Sequence, residues 1–206
     1  MCSYVLPMIA TTLNSAARSL PTWPLYIVLA VPGVWLFVSE LTNPGPDPVQ
    51  ALEHGLGEYA LQLLILSLLI TPLRDYAGVN LIRYRRAIGL MAFFYVLAHL
   101  VVYLWLDNQF WWDALVKDLT KRPYIIVGVA AFLILLPLAL TSNNAAIRRW
   151  GPLVWRRVHY GAYAAVILGA LHFLLLKKTW QTEPMIYTAI AVALVALRVP
   201  RLLRRF

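Results

Sequence analysis

The sequence predicts an all-α fold, a six-helix transmembrane bundle with both termini on the cytoplasmic side. Three observations predict it. Hydrophobic residues make up 61% of the 206 positions and charged residues only 13%, too little polar surface to clothe a water-soluble core. The apolar residues gather in long runs, each near the ~20 residues that carry a helix across ~30 Å of hydrocarbon. The arginines collect in alternate connections, as they do in cytoplasmic loops. The alternating polar and apolar pattern of a transmembrane β-barrel is missing from the sequence, and within such runs only helices satisfy their own backbone polar groups.

Six runs read as spans: Leu25–Leu41, Leu56–Leu73, Ala87–Leu106, Tyr124–Leu140, Leu153–Leu176 and Met185–Val199. They divide the chain into a cytoplasmic N-terminal segment (1–22), a six-span domain (23–200) and a basic cytoplasmic tail (201–206). The N-terminal segment does not read as a cleaved signal, because no charged region precedes the short Val5–Ala10 run. Pro32, Pro72 and Pro137 fall in or near spans and are expected to bend them. Asn43–Pro48 reads as a stiff outer turn. The eight tryptophans, Trp155 among them, fall mostly near span ends and read as an aromatic interfacial belt.

Charge sets the orientation. Arg18 precedes the first span. Arg74, Arg83, Arg85 and Arg86 lie between the second and third, and Arg148, Arg149, Arg156 and Arg157 between the fourth and fifth or just inside the fifth. Arg198, Arg201, Arg204 and Arg205 close the chain. The opposite side holds Glu40, Asp47, Glu53, Glu58, Asp107, Asp113, Asp118 and Glu183, with Lys117, Lys121, Arg122, Lys177 and Lys178. The formal charge is about +12 on one face and about −3 on the other, which together give the net +9. The basic side is therefore cytoplasmic. The positive charge reports topology and a lipid bilayer as surroundings, with no nucleic acid as partner.

The single cysteine, Cys2, excludes an internal disulfide framework, a four-thiolate iron–sulfur cluster and a C-x-x-C-H haem attachment. No Ser/His/Asp, zinc-site or Walker pattern appears, so no catalytic residues are assigned. Histidine remains as the ligand type. His99, His159 and His172 fall inside apolar runs, where ionisable groups are costly and usually functional. The plain alternative is a set of neutral histidines hydrogen-bonded between helices, but the runs offer almost no carboxylate to pair three of them.

Spacing sharpens the reading. His172 follows His159 by 13 positions, and His99 follows Arg86 by the same interval, a helical rise of roughly 20 Å. The third and fifth spans run in the same direction. His99 and His172 are thus expected to face each other near the outer leaflet, and Arg86 and His159 near the inner one. A bis-histidine pair on neighbouring helices suits a b-type haem, with neutral imidazoles on the iron and helices sandwiching the ring. His159 could hold a second haem, with water, Arg85 or Arg86, or nothing opposite it. The two arginines could instead contact haem propionates, or simply anchor the cytoplasmic face. His54, in Glu53–Glu58 (EHGLGE), reads first as part of a polar cap at the outer entrance of the second span. A quinone or partner contact, or a metal cluster with Glu53 and Glu58, are the sharper readings. Two other classes compete with haem: a transporter or proton channel relaying protons through its histidines, and an assembly protein whose histidines only cross-link helices.

A set of short stretches carries a resemblance: Leu52–Leu61 (LEHGLGEYAL), Leu69–Arg74 (LITPLR), Tyr84–Leu90 (YRRAIGL), Lys121–Ile125 (KRPYI), Leu138–Ser142 (LALTS), Trp155–Tyr160 (WRRVHY) and Leu171–His172. Together they resemble the MsrQ (YedZ) family, the haem-binding membrane subunits of the MsrPQ protein-methionine-sulfoxide reductase system, within the ferric-reductase-like transmembrane group. The resemblance implies a ferric-reductase-like transmembrane domain in the bacterial inner membrane. It implies one or two b haems on residues matching His99, His159 and His172, and an FMN that no motif here places. Electrons are expected to come from the quinone pool or a cytoplasmic flavin reductase and to pass to a periplasmic molybdopterin methionine sulfoxide reductase (MsrP-like), whose substrate lesion is reversible. Ferric reductases and NADPH oxidases of the group continue into a flavin/nicotinamide domain, whereas this sequence ends at Phe206. A separate donor and a separate catalytic partner are therefore expected, with no sulfoxide-reducing site in the chain. A quinone-linked or ferric-reductase-like cytochrome b with another acceptor is the neighbouring possibility.

Overall fold

Apolar runs in hydrocarbon can satisfy their backbone only within themselves, and the computed structural model, which describes residues 2–176 and 181–198, is helical along nearly all of that length. The helices are α1 (Cys2–Ser19), α2 (Trp23–Thr42), α3 (Pro48–Ala77), α4 (Arg85–Val102), α5 (Trp112–Lys121), α6 (Pro123–Leu140), α7 (Asn144–His159), α8 (Gly161–Leu176) and α9 (Thr182–Ala196). A 3-10 turn, Ile82–Tyr84, leads into α4, and a π-helical turn, Tyr103–Asp107, extends it. No strand occurs among the described residues. Five stretches there are long and apolar enough to cross a membrane: Trp23–Thr42, Pro48–Ala77, Ile82–Asp107, Pro123–Leu140 and Asn144–Leu176. The sixth expected span corresponds to α9, which is apolar but only 15 residues long, about 22 Å of rise. Lys177, Lys178, Trp180, Val199 and the 201–206 tail with Arg201, Arg204 and Arg205 lie outside the described residues.

α3 is longer than its apolar run because both ends are built to extend it. Asp47 accepts a hydrogen bond from the Gln50 backbone N–H (3.0 Å) with Pro48 behind it, and Gly78 closes the helix in the left-handed region at φ 70°. Glu53, His54 and Glu58 consequently lie within the first three turns of this helix.

The fifth run differs from the expected single helix. α7 and α8 meet at Tyr160, and α7 itself turns at Gly151 (φ 76°, ψ 157°), just before Pro152. His159 ends α7, while His172 lies on α8. α1 was not legible as a helix in the N-terminal segment. Its last turn is held by the 3-10 turn before α4: Tyr84 Oη donates to the Ala17 and Leu20 carbonyls, and Arg83 Nη1 to those of Ala17 and Arg18.

α3 packs along α4 and α6 along α8, with α9 against α8 and α3. Leu68, Ala92, Ala165, Val166 and Ala191 are wholly enclosed. Three of these five are alanines, which lets helix axes approach closely where no hydrophobic drive exists between helix and lipid. α2 buries no residue fully and shows Val28, Val31 and Trp35 to the surroundings, as a lipid-facing helix does. Arg198, expected with the exposed tail arginines, is buried. It donates to the Leu194 and Leu68 carbonyls and lies over the Tyr163 ring.

α2 is attached through an inserted hydroxyl. Tyr95 of α4 donates from Oη to the Leu29 carbonyl (2.7 Å) and accepts from the Gly33 N–H (2.9 Å), next to Pro32, whose missing N–H already opens the α2 ladder. A Cβ at Gly33 would stand 2.6 Å from Tyr95 Cε1. Gly33→Ala is therefore expected to destabilise the protein by about 1–3 kcal/mol through overpacking, and Tyr95→Phe by only about 1 kcal/mol, because α2 can close its own Gly33–Leu29 bond. Thermal unfolding in lipid nanodiscs measures both. The reverse order of effect would contradict this attachment.

Candidate functional site

α3, α4, α6 and α8 enclose a cavity of about 500 Å³, a size that suits a cofactor. Its floor is apolar, with Leu61, Leu64, Val96 and Phe132. Its mouth carries Asp47, Glu53, His54, Asp107 and Arg122. His99 from α4 and His172 from α8 enter it from two sides.

The two imidazole rings have centroids 6.1 Å apart and planes at 82°. A metal–imidazole bond is about 2 Å, and a ring centre lies roughly 1 Å behind its ligating nitrogen. Two axial imidazoles on one metal therefore hold their centres ~6 Å apart. The rings of His99 and His172 thus stand close together in the cavity, at a separation that fits two imidazoles on one metal.

Their protonation follows from their partners. His99 Nδ1 lies 2.8 Å from the Glu53 carbonyl oxygen, and His172 Nδ1 lies 2.7 Å from that of Tyr124. A carbonyl can only accept, so each Nδ1 carries the proton and donates it. Each Nε2 is left with a lone pair, the arrangement in which histidine binds a metal while a backbone acceptor orients it. Space for the rings comes from glycines. A Cβ at Gly57 would meet His99 Nδ1 at 3.2 Å, and one at Gly128 would meet His172 Nδ1 at 2.7 Å. Neither glycine was singled out from the sequence. The signal available was a lone small residue on the span facing each histidine.

The remaining lining is polar on α3. Glu58 Oε1 accepts from Gln62 Nε2 (2.8 Å) and Tyr187 Oη (3.1 Å). A carboxylate thus stands within the bundle wall, where the sequence reading placed it on the outer face. His54 lines the same cavity. No group of three or more His, Cys, Asp or Glu among the described residues is arranged to hold a metal ion, so the Glu53–His54–Glu58 metal cluster is not observed.

The inner level is built differently. His159 Nδ1 lies 2.9 Å from the carbonyl oxygen of Trp155, one turn back on α7, and its ring stacks on the Trp155 indole at 3.8 Å. Trp155 Nε1 donates to the Thr141 carbonyl (2.8 Å). Trp155 is thus a positioning residue for His159 as well as an interfacial aromatic. His159 Nε2 is 3.4 Å from Ser142 Oγ, whose proton goes to the Leu138 carbonyl at 2.7 Å. Tyr124 and Leu138 share α6 and are 14 positions apart, about 21 Å. His172 is tied to Tyr124 at one end of α6, and Ser142 beside His159 is tied to Leu138 near the other. Arg85 and Arg86 both act on His159 electrostatically, but Arg86 Nη1 donates to Asn144 Oδ1 at 2.9 Å, so its guanidinium is already engaged.

Comparison with known proteins supplies the family. The family model described as ferric reductase like transmembrane component matches residues 56–170, which include His99 and His159 and end just before His172. Proteins of Brucella ovis, Brucella canis and Brucella suis, each named protein-methionine-sulfoxide reductase heme-binding subunit MsrQ, are 46% identical over 180 residues, covering 87% of this chain and 81% of the relative. A match of that extent, together with a family model spanning more than half of its residues, means that this chain belongs to the MsrQ family within the ferric-reductase-like transmembrane group.

Proposed function

We propose that this protein is an electron-carrying membrane subunit that holds a b-type haem between His99 and His172 and passes electrons to a partner that reduces protein methionine sulfoxide. One observation carries the proposal: two histidines from different helices, each with Nδ1–H donated to a backbone carbonyl, stand 6.1 Å apart in an apolar-floored cavity. The names of the Brucella relatives, heme-binding subunits of that reductase, support it further. A haem so bound supplies one-electron chemistry.

The chain's own residues bind and orient. The Glu53 and Tyr124 carbonyls hold both imidazoles in the ligating tautomer, and Gly57 and Gly128 clear the volume behind them. The apolar floor excludes water and favours the ring face. A histidine proton relay fits less well, since passing a proton through either ring would break the bond that orients it.

The arginine asymmetry supports six spans with both ends cytoplasmic, in a bacterial inner membrane. His159, with Nε2 turned from its own carbonyl bond, is the site for a second, inner haem, and Arg85 is its propionate contact in preference to the engaged Arg86. His54, at the cavity mouth, is the contact for a quinone head or partner. Quinol or a cytoplasmic flavin reductase is the donor, a periplasmic molybdopterin enzyme of MsrP type the acceptor, and FMN a second cofactor. Family resemblance alone supports these three.

His99→Ala and His172→Ala are each expected to abolish the outer haem's reduced α band while membrane insertion persists. Full haem content by pyridine haemochrome assay in both variants would refute the assignment. His159→Ala is expected to leave that band in place and to remove at most a separate spectral component. Gly128→Ala should weaken haem binding by about 10-fold or more, the scale seen when a ligand's orientation is lost, and Gly57→Ala should do so less, following their 2.7 and 3.2 Å clearances. Haem titration of the apoprotein reads the order.

A further inference from the structure

The connection between α4 and α6 contains a helix with one flank held by the protein and an apolar arc that is exposed. α4 ends in the π-helical turn Tyr103–Asp107, and Gln109 (φ 49°) and Phe110 (φ 57°) then adopt left-handed conformations. Two consecutive non-glycine residues in that region are strained, and they lie between the end of α4 and the start of α5.

α5 sorts its side chains into three directions. At 100° per residue, Trp112, Val116 and Leu119 fall within one arc of about 60°. All three are exposed, Trp112 by 77% and Val116 by 59%. Asp113, Lys117 and Lys121, also exposed, point the other way. Asp118 lies on a third flank, with its side chain only 15% exposed. It accepts from Tyr103 Oη (3.1 Å) and pairs with Arg122 Nε (3.2 Å). Tyr103 and Arg122 both line the cavity mouth, so the flank toward the protein is accounted for and the apolar arc is not.

We propose that α5 lies flat in the outer lipid interface, with Trp112, Val116 and Leu119 seated among the headgroups and the upper acyl chains. Continuity favours lipid over a protein occupant. α5 joins the outer ends of two membrane-crossing helices, and exposed apolar residues stand on both sides of it, Trp105 and Leu106 at the end of α4 and Ile126 at the start of α6. Tryptophan with an apolar arc opposite a charged face is the pattern of a helix lying in an interface. The helix carries two acidic and two basic residues, Asp113, Asp118, Lys117 and Lys121. Its seat is therefore apolar in origin and does not require anionic lipid. Asp118 then connects that seat to the wall of the His99–His172 cavity.

The test places single nitroxide labels at positions 112, 116 and 119 and at 113, 117 and 121 of the full-length protein carrying Cys2→Ser, in nanodiscs of zwitterionic lipid. Collision with oxygen reports lipid, and collision with a water-soluble nickel chelate reports solvent. The expected result is oxygen-favoured relaxation at 112, 116 and 119 and nickel-favoured relaxation at the other three, unchanged when half the lipid is anionic. Nickel access at all six sites would overturn the proposal, and so would shielding of 112, 116 and 119 from both reagents, which would assign the arc to a protein partner. A pattern that appears only with anionic lipid would also overturn it. The six-site periodicity remains readable if one labelled variant fails to fold, and it does not depend on bound haem.

Discussion

Two backbone carbonyls, those of Glu53 and Tyr124, govern the site. Each accepts the Nδ1 proton of a histidine from another helix, and each is the kind of acceptor that cannot exchange roles. The tautomer, the ring direction and the availability of Nε2 all follow from those two bonds. A carbonyl within a helix normally accepts from the residue four positions on. The Tyr124 carbonyl belongs to the first turn of α6, just after Pro123, and that of Glu53 to the second turn of α3. The outer ends of both helices thus act as clamps for side chains of their neighbours.

That constraint explains the long α3 and the small residues around it. The Asp47 cap lets α3 begin early enough to present Glu53 to His99. Gly57, one turn on, lets the ring lie against the helix surface, and Gly128 does the same for His172 on α6. Ala92, Ala165 and Ala191 lie fully enclosed in the core that α3, α4, α6, α8 and α9 share. The bilayer supplies the rest: outward faces such as that of α2 remain apolar and exposed, while the interior polar groups find partners on neighbouring helices.

Much of this was legible in the sequence because hydrocarbon thickness and backbone satisfaction leave few choices. Five stretches long and apolar enough to cross a membrane fall where spans were expected, and the rings of His99 and His172 lie 6.1 Å apart. What the sequence concealed has particular causes. The break at Tyr160 lies within an apolar run, and hydropathy does not register it. α1 and α5 lie outside the spans, and α5 is too short and too evenly charged to stand out by composition. Trp155 reads like any interfacial tryptophan until its ring is found on His159. Carbonyl acceptors and ring-clearing glycines leave no side-chain signal at all, so the orientation of the two histidines had to come from coordinates.

The central proposal is that His99 and His172 would together hold one haem iron. Low-temperature EPR of the oxidised, haem-loaded protein tests it directly, because two imidazole ligands keep ferric haem low-spin whereas a single one leaves it high-spin. The predicted result is a low-spin ferric signal that diminishes in both His99→Ala and His172→Ala. A high-spin signal in the unaltered protein, or a low-spin signal that both substitutions leave unchanged, would contradict the proposal.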